Sequence, residues 1–183
     1  SAARLAPLDE AWAVGEMLPT LSSRSLSKDL KERHGALHML AEALLGLCSE
    51  LHDGRGASLP VEVRKQVSSL VPAIEKARLY RGRGGEVMRG AVCRLLEVGA
   101  LVRLPCGPKA ALRNLGSVDE SLKHPTEAIS LAAVGALRAI SAAYFSAQQP
   151  ASDDAPLEAA APPVEAAELV SRYAKPLLSD GNP

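Results

Sequence analysis

Aromatic side chains are scarce in this chain: they make up 3% of its 183 residues, although 47% of the residues are hydrophobic. Alanine, leucine and valine supply nearly all of the apolar content. Because β-sheet cores usually draw on aromatic and β-branched side chains, this composition favours closely packed helices over a sheet core. The scarcity therefore predicts an all-α fold.

An excess of positive charge is also missing, since 21 lysines and arginines balance 21 aspartates and glutamates. A protein that neutralises nucleic-acid phosphates needs a clustered cationic surplus. The densest basic run, at 78–83, holds only three arginines. The charge balance excludes nucleic acid as the main partner.

Cysteine is rare, and its spacing fits no metal or redox motif. Cys48, Cys93 and Cys106 are an odd number of widely separated residues without a Cys-x-x-Cys pair. We expect Cys48 and Cys93 to be small core residues in a reducing compartment. Charges interrupt every apolar run before the ~18 residues that a membrane helix needs. We recognise no signal peptide, and we predict no membrane span.

Motifs of catalysis are absent from the sequence. It contains neither the Gly-x-Ser-x-Gly elbow of hydrolases nor a Gly-Lys-Ser/Thr phosphate loop. His34 and His38 stand four residues apart, as metal ligands on a helix can. Gly35, however, stands where the metalloprotease pattern has glutamate, and no third ligand is evident. We therefore predict no enzyme activity, no metal and no cofactor, and a packing or surface role for the two histidines.

A glycine-rich segment, Gly82-Arg83-Gly84-Gly85, allows two interpretations. Glycines let backbone amides approach an anion at a helix N-terminus. The dinucleotide fingerprint fails, however, because Val87 occupies the position of its third glycine and a helix precedes the loop. A tight turn between helices, with exposed arginines, is the favoured interpretation, and a contact with an anion or an acidic surface is the alternative. We expect Tyr80, Arg81 and Arg83 to contact a partner.

Hydrophobic periodicity predicts helices throughout, because apolar residues recur at spacings of three and four and no stretch alternates as a strand does. Seven helices and no sheet are predicted, with the helices packed as antiparallel pairs. The predicted helices run approximately over 8–22, 29–52, 60–80, 86–98, 112–122, 127–144 and 164–178.

The composition also predicts the domain organisation. Residues 1–147 form helical repeats, and 148–163 is an Ala/Pro-rich flexible insertion without aliphatic periodicity. Residues 164–183 form the first helix of a further, truncated repeat. The chain opens without Met, so we interpret it as a piece of a longer array. Apolar residues near both ends would then be covered by flanking repeats of the same chain.

Repetition of a helix, a tight turn and a second helix is typical of an α-solenoid. The HEAT pattern is clearest in the first pair, at Asp29, Arg33, Gly35 and Ala36. In HEAT families the aspartate caps the second helix, the arginine ties neighbouring repeats together, and the small residues let the helices approach. We expect Arg33 to bond to Asp29 or to a neighbouring turn.

Prolines late in the first helix of a pair support the repeat. Pro19, Pro72 and Pro176 each stand among apolar residues in that position. A proline removes one backbone hydrogen bond and bends the helix, so its recurrence indicates a shaped first helix.

Two runs of sequence resemble a known family. They are Asp29-Leu30-Lys31-Glu32-Arg33-His34-Gly35-Ala36-Leu37 and the run Leu79-Tyr80-Arg81-Gly82-Arg83-Gly84-Gly85 that continues to Ala91-Val92-Cys93. Both are similar to segments of the tubulin-folding cofactor D family, also called tubulin-specific chaperone D. The resemblance covers about 18–144 and resumes near residue 169, and the insertion 148–163 lies outside it.

The resemblance implies a fold and a function. Proteins of this family are HEAT/armadillo-type solenoids of the cytoplasm, associated with the microtubule cytoskeleton. They bind β-tubulin and cooperate with tubulin cofactors C and E and an Arf-like small GTPase. Together these proteins assemble and take apart the α/β-tubulin heterodimer, and GTP hydrolysis by tubulin is stimulated. The resemblance therefore implies a chaperone scaffold that acts by binding.

Two other functions compete with this expectation. A generic HEAT-repeat adaptor, unrelated to tubulin, would have the same helical pattern. A small nucleotide-binding enzyme would rest only on the loop at 82–85. The two family-like runs favour the tubulin chaperone scaffold.

Overall fold

A computed structural model describes residues 10–49, 55–80, 84–145 and 166–179. In these ranges every regular element is helical and no strand occurs, so the predicted all-α fold and the predicted seven helices are confirmed. The first helix, α1, is continuous through Glu10–Trp12, Ala13–Met17 and Leu18–Arg24. The others are α2 (Leu30–Ser49), α3 (Val61–Lys76), α4 (Gly85–Leu101), α5 (Pro108–Leu122), α6 (Glu127–Tyr144) and α7 (Ala166–Ser179). The predicted insertion at 148–163 lies outside the described residues.

A π-helix lies beside the proline of α1. The middle of α1, Ala13–Met17, is a π-helix, and the Leu18 N–H donates to the Ala13 carbonyl, five residues back. Pro19 follows directly and has no N–H to donate. A π-helical turn and a proline, which lacks the backbone N–H donor, are both common causes of a local distortion in a helix. Pro72 lies inside α3, which continues past it.

Two helices end in the same way. Arg78 after α3 and Arg103 after α4 both have φ of 55°, the left-handed region. The following residues, Leu79 and Leu104, donate their N–H groups to carbonyls five residues back. This is the Schellman termination, in which glycine is the usual residue. Arginine in that conformation is strained, and the repeated arrangement indicates that α3 and α4 end by the same mechanism.

The start of α6 has no side-chain cap. Thr126 occupies the N-cap position, but its side chain makes no capping hydrogen bond. Its N–H donates to Nδ1 of His124 at 3.2 Å, so the turn before the helix supplies the local bond.

Helix α4 is the centre of the fold. Its backbone lies in close contact with α2 on one side and with α6 on the other, and α1 contacts α2 and α3. The third predicted pair, α5 and α6, is also in close contact. The fully buried side chains of α4 include Met88, Val92, Cys93 and Val98. In the second predicted pair, by contrast, α3 and α4 make no comparable backbone contact, and residues of both helices line a cavity.

The cysteines are free thiols, and two of them are buried as predicted. Cys48 and Cys93 lie in the core, and Cys106 is half-buried in the loop before α5. Burial raises the pKa of the Cys93 thiol and raises that of Cys106 to about 11. Both thiols are therefore protonated near neutral pH.

Helix α7 docks on α5 through one carboxylate. Asp119 Oδ2 accepts from Arg172 Nη2 at 2.6 Å and Nε at 2.8 Å, and Tyr173 donates its hydroxyl to Oδ1 at 2.5 Å. Leu169 and Tyr173 pack against the core, whereas Val170 is 58% exposed. The described helices therefore cover part of Leu169 and Tyr173, and the covering of both ends by flanking repeats stays a prediction.

One described helix, α6, is long and apolar enough to cross a bilayer, judged by length and composition only. A buried helix of a water-soluble protein passes the same test. Here α6 contacts both α4 and α5 and contributes seven buried residues, namely Ile129, Ala133, Ala136, Ala139, Ile140, Ala143 and Tyr144.

Candidate partner-binding surface

The predicted N-cap of the HEAT-like motif is confirmed. Asp29 Oδ1 accepts from the backbone N–H of Lys31 at 2.7 Å and from that of Glu32 at 3.4 Å. The Ser27 hydroxyl donates to Glu32 at 2.5 Å and accepts from the Asp29 N–H at 3.2 Å. These bonds satisfy amides that have no partner inside the helix and fix the first turn of α2.

Arg33 has the structural position that the motif predicts. Its side chain is buried, with 9% exposure, and Nη1 donates to the Lys28 carbonyl at 2.8 Å and to the Ser27 carbonyl at 3.5 Å. Both carbonyls belong to the turn between α1 and α2, so the expected bond to a neighbouring turn is confirmed. A buried cation requires such partners, because its desolvation is otherwise unfavourable.

Gly35 and Ala36 were both predicted to let neighbouring helices approach, and only Ala36 has a buried position that fits this role. Ala36 is buried at 5% exposure. At Gly35, a Cβ atom would meet no described residue within 4 Å, so none of the described helices approaches that backbone. The prediction for Gly35 is therefore wrong, because the residue lies beside the contact face of α2 and not within it.

Tyr80 is fixed against α4. It is half-buried, and the Arg89 guanidinium lies 5.0 Å from its ring centroid. Arg89 Nη1 also pairs with Glu120 Oε2 of α5 at 3.3 Å. Burial raises the pKa of the Tyr80 phenol. Tyr80 thus joins the end of α3 to α4 and α5, and its side chain has little freedom to act as a protruding anchor.

The glycines of the loop are explained by its backbone. Gly84 has φ of 80°, where a side chain is strained, and a Cβ atom on Gly85 would overlap the Tyr80 carbonyl. These requirements support the tight-turn interpretation of the loop. Arg81 and Arg83, the other predicted contact residues, lie outside the described residues.

Arg94 connects the exposed sides of α2 and α4. Its Nε donates to Glu42 Oε1 of α2 at 2.8 Å, and its Nη1 donates to Glu97 Oε2 at 2.9 Å. The bond from Arg94 lowers the pKa of the Glu42 carboxyl. The Glu97 carboxylate in turn lies over Gly135 of α6, where an added Cβ atom would be 3.0 Å from Oε1. The polar contacts of Arg94 therefore join α2 to α4, and the Glu97 carboxylate lies close to α6.

The same three helices carry exposed large apolar side chains. Met39 and Leu131 are each 61% exposed, and Leu101 and Val134 are each 52% exposed. By helical spacing, Leu131 precedes Gly135 by one turn and Leu101 follows Glu97 by one turn, so each lies on the same side as the polar contacts. We call this surface the second-helix face, and its members are Met39, Glu42, Arg94, Glu97, Leu101, Leu131, Val134 and Gly135.

The two histidines border the second-helix face. Their rings, His34 and His38, meet edge to face with centroids 4.6 Å apart. Burial lowers the pKa of His38, and the charges of His34 and Arg94 lower it further, against the opposing effect of Glu42. Among the described residues, no group of three His, Cys, Asp or Glu side chains is placed to hold a metal ion.

The second-helix face was missed by sequence reasoning. Arg94 and Glu42 are 52 residues apart, and nothing local relates them. A weak signal was present, because Arg94 and Glu97 are charged residues at a spacing of three in a helix that is otherwise mostly buried. Such residues mark the single side of a central helix that solvent reaches.

No protein-family model matches the chain, and no solved structure matches it.

Proposed function

We propose that the chain is part of an α-solenoid of HEAT/armadillo-type helical pairs in a protein of the tubulin-folding cofactor D family. The observation that carries this proposal is the geometry of Asp29 and Arg33. Asp29 caps α2, and Arg33 is buried against the turn that precedes α2. Both lie in a run of sequence that resembles that family. Asp29 caps the second helix as in the HEAT pattern, whereas Arg33 bonds to the turn of its own helical pair and not to a neighbouring repeat.

The arrangement of helix contacts supports the solenoid. Helices α2, α4 and α6 contact one another in that order, while α1 contacts α3. In a solenoid, second helices stack on second helices and first helices on first helices, since each repeat contacts its neighbours. The contacts α2–α4, α4–α6 and α1–α3 follow that order and support the proposal, whereas α3 and α5 make no comparable backbone contact.

The proposed function is that of a chaperone scaffold. It binds β-tubulin and, with tubulin cofactors C and E and an Arf-like small GTPase, assembles and takes apart the α/β-tubulin heterodimer. The scaffold acts by binding and not by catalysis. The second-helix face suits this role, since exposed apolar anchors beside ordered ion pairs are features of protein–protein interfaces. Such a surface can cover a subunit interface that would otherwise be exposed to water.

Size-exclusion chromatography of the full-length protein with tubulin heterodimer tests the proposal. We expect a co-eluting complex, and we expect the double variant Leu131→Glu, Val134→Glu to abolish it. Two buried carboxylates without partners would oppose an apolar contact strongly. Val61→Glu is the matched control, because Val61 is 51% exposed on α3 and lies outside the second-helix face.

The outcomes separate the candidate functions. A wild-type protein that does not bind tubulin, alone or with the sibling cofactors and GTPase, would refute the tubulin assignment and leave the generic adaptor. Binding that survives in the double variant would keep tubulin as the partner but remove the second-helix face as the contact.

A further inference from the structure

A cavity of about 290 Å³ lies between α3, α4, α5 and the C-terminal end of α6. Its inner wall is buried and apolar, and its outer rim is exposed at Ser68, Gly107 and Arg113. The buried wall consists of Val67, Val71, Leu95, Leu96, Leu104 and Tyr144. A concave apolar site with a few polar groups and a volume near 300 Å³ is at the small end of the range for ligand pockets.

The polar groups of the inner wall are mostly engaged. The Tyr144 hydroxyl donates to the Leu104 carbonyl at 2.8 Å and lies 3.2 Å from the Gly99 carbonyl, so Tyr144 presents its ring to the cavity. Asn114 Nδ2 lies 3.9 Å from the Cys106 sulfur. That contact is weak, so the amide retains capacity for a stronger acceptor.

The rim carries one uncompensated charge. Arg113 makes no hydrogen bond or ion pair with any described residue, and it is exposed. Among the described residues that line the cavity, none is an aspartate or a glutamate. The other arginines near α4 differ, since Arg89 and Arg94 both have carboxylate partners. An apolar interior with a single free guanidinium at its mouth is complementary to an apolar body with one anionic end.

We propose that this cavity binds a small apolar carboxylate, with the hydrocarbon against Val67, Val71 and Leu96 and the carboxylate at Arg113 and Asn114. The site is separate from the second-helix face and does not depend on the proposed partner. It adds a small-molecule site to a chain whose sequence indicates only protein binding.

Alkylation of Cys106 can report ligand binding in the cavity. It lines the cavity and is half-buried, whereas Cys48 and Cys93 are buried in the core. Iodoacetamide at mildly alkaline pH should therefore alkylate Cys106 first in the folded full chain. A bound ligand would block the thiol, by a factor of about ten when the free ligand is at about nine times its Kd. Unreacted Cys48 and Cys93 report that the protein stays folded.

The test uses octanoate as the probe and octylamine, a cation with the same chain, as its control. We expect octanoate to slow alkylation of Cys106 and octylamine to leave it unchanged. Arg113→Gln should weaken the octanoate effect about fivefold, as expected for a partly exposed ion pair. Lys109→Gln, an exposed charge on the same helix, should not weaken it.

Ala110→Phe, which fills the cavity from α5, should remove the protection. The rate ratio with and without octanoate is compared within each variant, so a changed basal rate does not matter. The proposal is overturned if octanoate gives no protection up to its solubility limit, if octylamine protects equally, or if Ala110→Phe retains full protection.

Discussion

The two sides of α4 are packed differently. Towards α6, the backbones of the two helices come into close contact, and α6 contributes fully buried small residues such as Ala133 and Ala136. Towards α3, valines and Pro72 face leucines across a cavity of about 290 Å³. Small side chains let two helix backbones approach closely, so little empty volume remains between them. Branched side chains hold the backbones further apart and can leave a cavity. The first side holds the fold together, and the second has room for a ligand.

The largest effect on stability is expected on the side of α4 that faces α6. Ala136→Leu inserts a branched side chain where no space exists, so it should lower the free energy of unfolding by about 3 kcal/mol. Urea denaturation followed by circular dichroism measures the change. A loss below about 1 kcal/mol would show that the contact between α4 and α6 adapts and is not closely packed.

Next in size is Arg33→Ala, which removes the anchor that holds α2, the other close neighbour of α4. The Lys28 carbonyl loses its 2.8 Å charge-assisted bond. We expect a loss of about 2 kcal/mol in the free energy of unfolding. Tubulin affinity should change little, because the side chain is buried. Unchanged thermal stability together with lost binding would contradict the structural assignment of Arg33.

A smaller effect is expected for Arg94→Gln. The guanidinium is 30% exposed, and its partner Glu42 is 58% exposed, so screening limits the pair to about 1 kcal/mol or less. The remaining effect should shrink further in high salt. A salt titration of thermal stability measures it, and a large, salt-insensitive loss would show that Arg94 is needed for packing and not for charge pairing.

The smallest effect is predicted on the cavity side. Val71→Leu adds one methylene group next to empty space, so the free energy of unfolding should change by no more than about 0.5 kcal/mol. Urea denaturation of Val71→Leu and Ala136→Leu in one series compares the packing on the α3 side of α4 with that on the α6 side. A loss as large as that of Ala136→Leu would contradict the difference in packing.

Local patterns were sufficient to predict the helices and the cap. Period-3.6 spacing located all seven helices, and Asp29 caps α2 because the cap depends on amides only two and three residues away. The close approach at Gly35 was predicted wrongly, since residue size does not reveal which side of a helix faces a neighbour. Arg94 with Glu42, and Asp119 with Arg172, could not be predicted, because more than 50 residues separate the partners.

The central claim is that the second-helix face contacts tubulin. Hydroxyl-radical footprinting of the full-length protein, with and without tubulin heterodimer, tests it most directly, because Met39 is 61% exposed and Val61, off this face, is 51% exposed. The account predicts that tubulin slows oxidation of Met39 and Leu131 and leaves Val61 unchanged. Equal oxidation of Met39 with and without bound tubulin would contradict it.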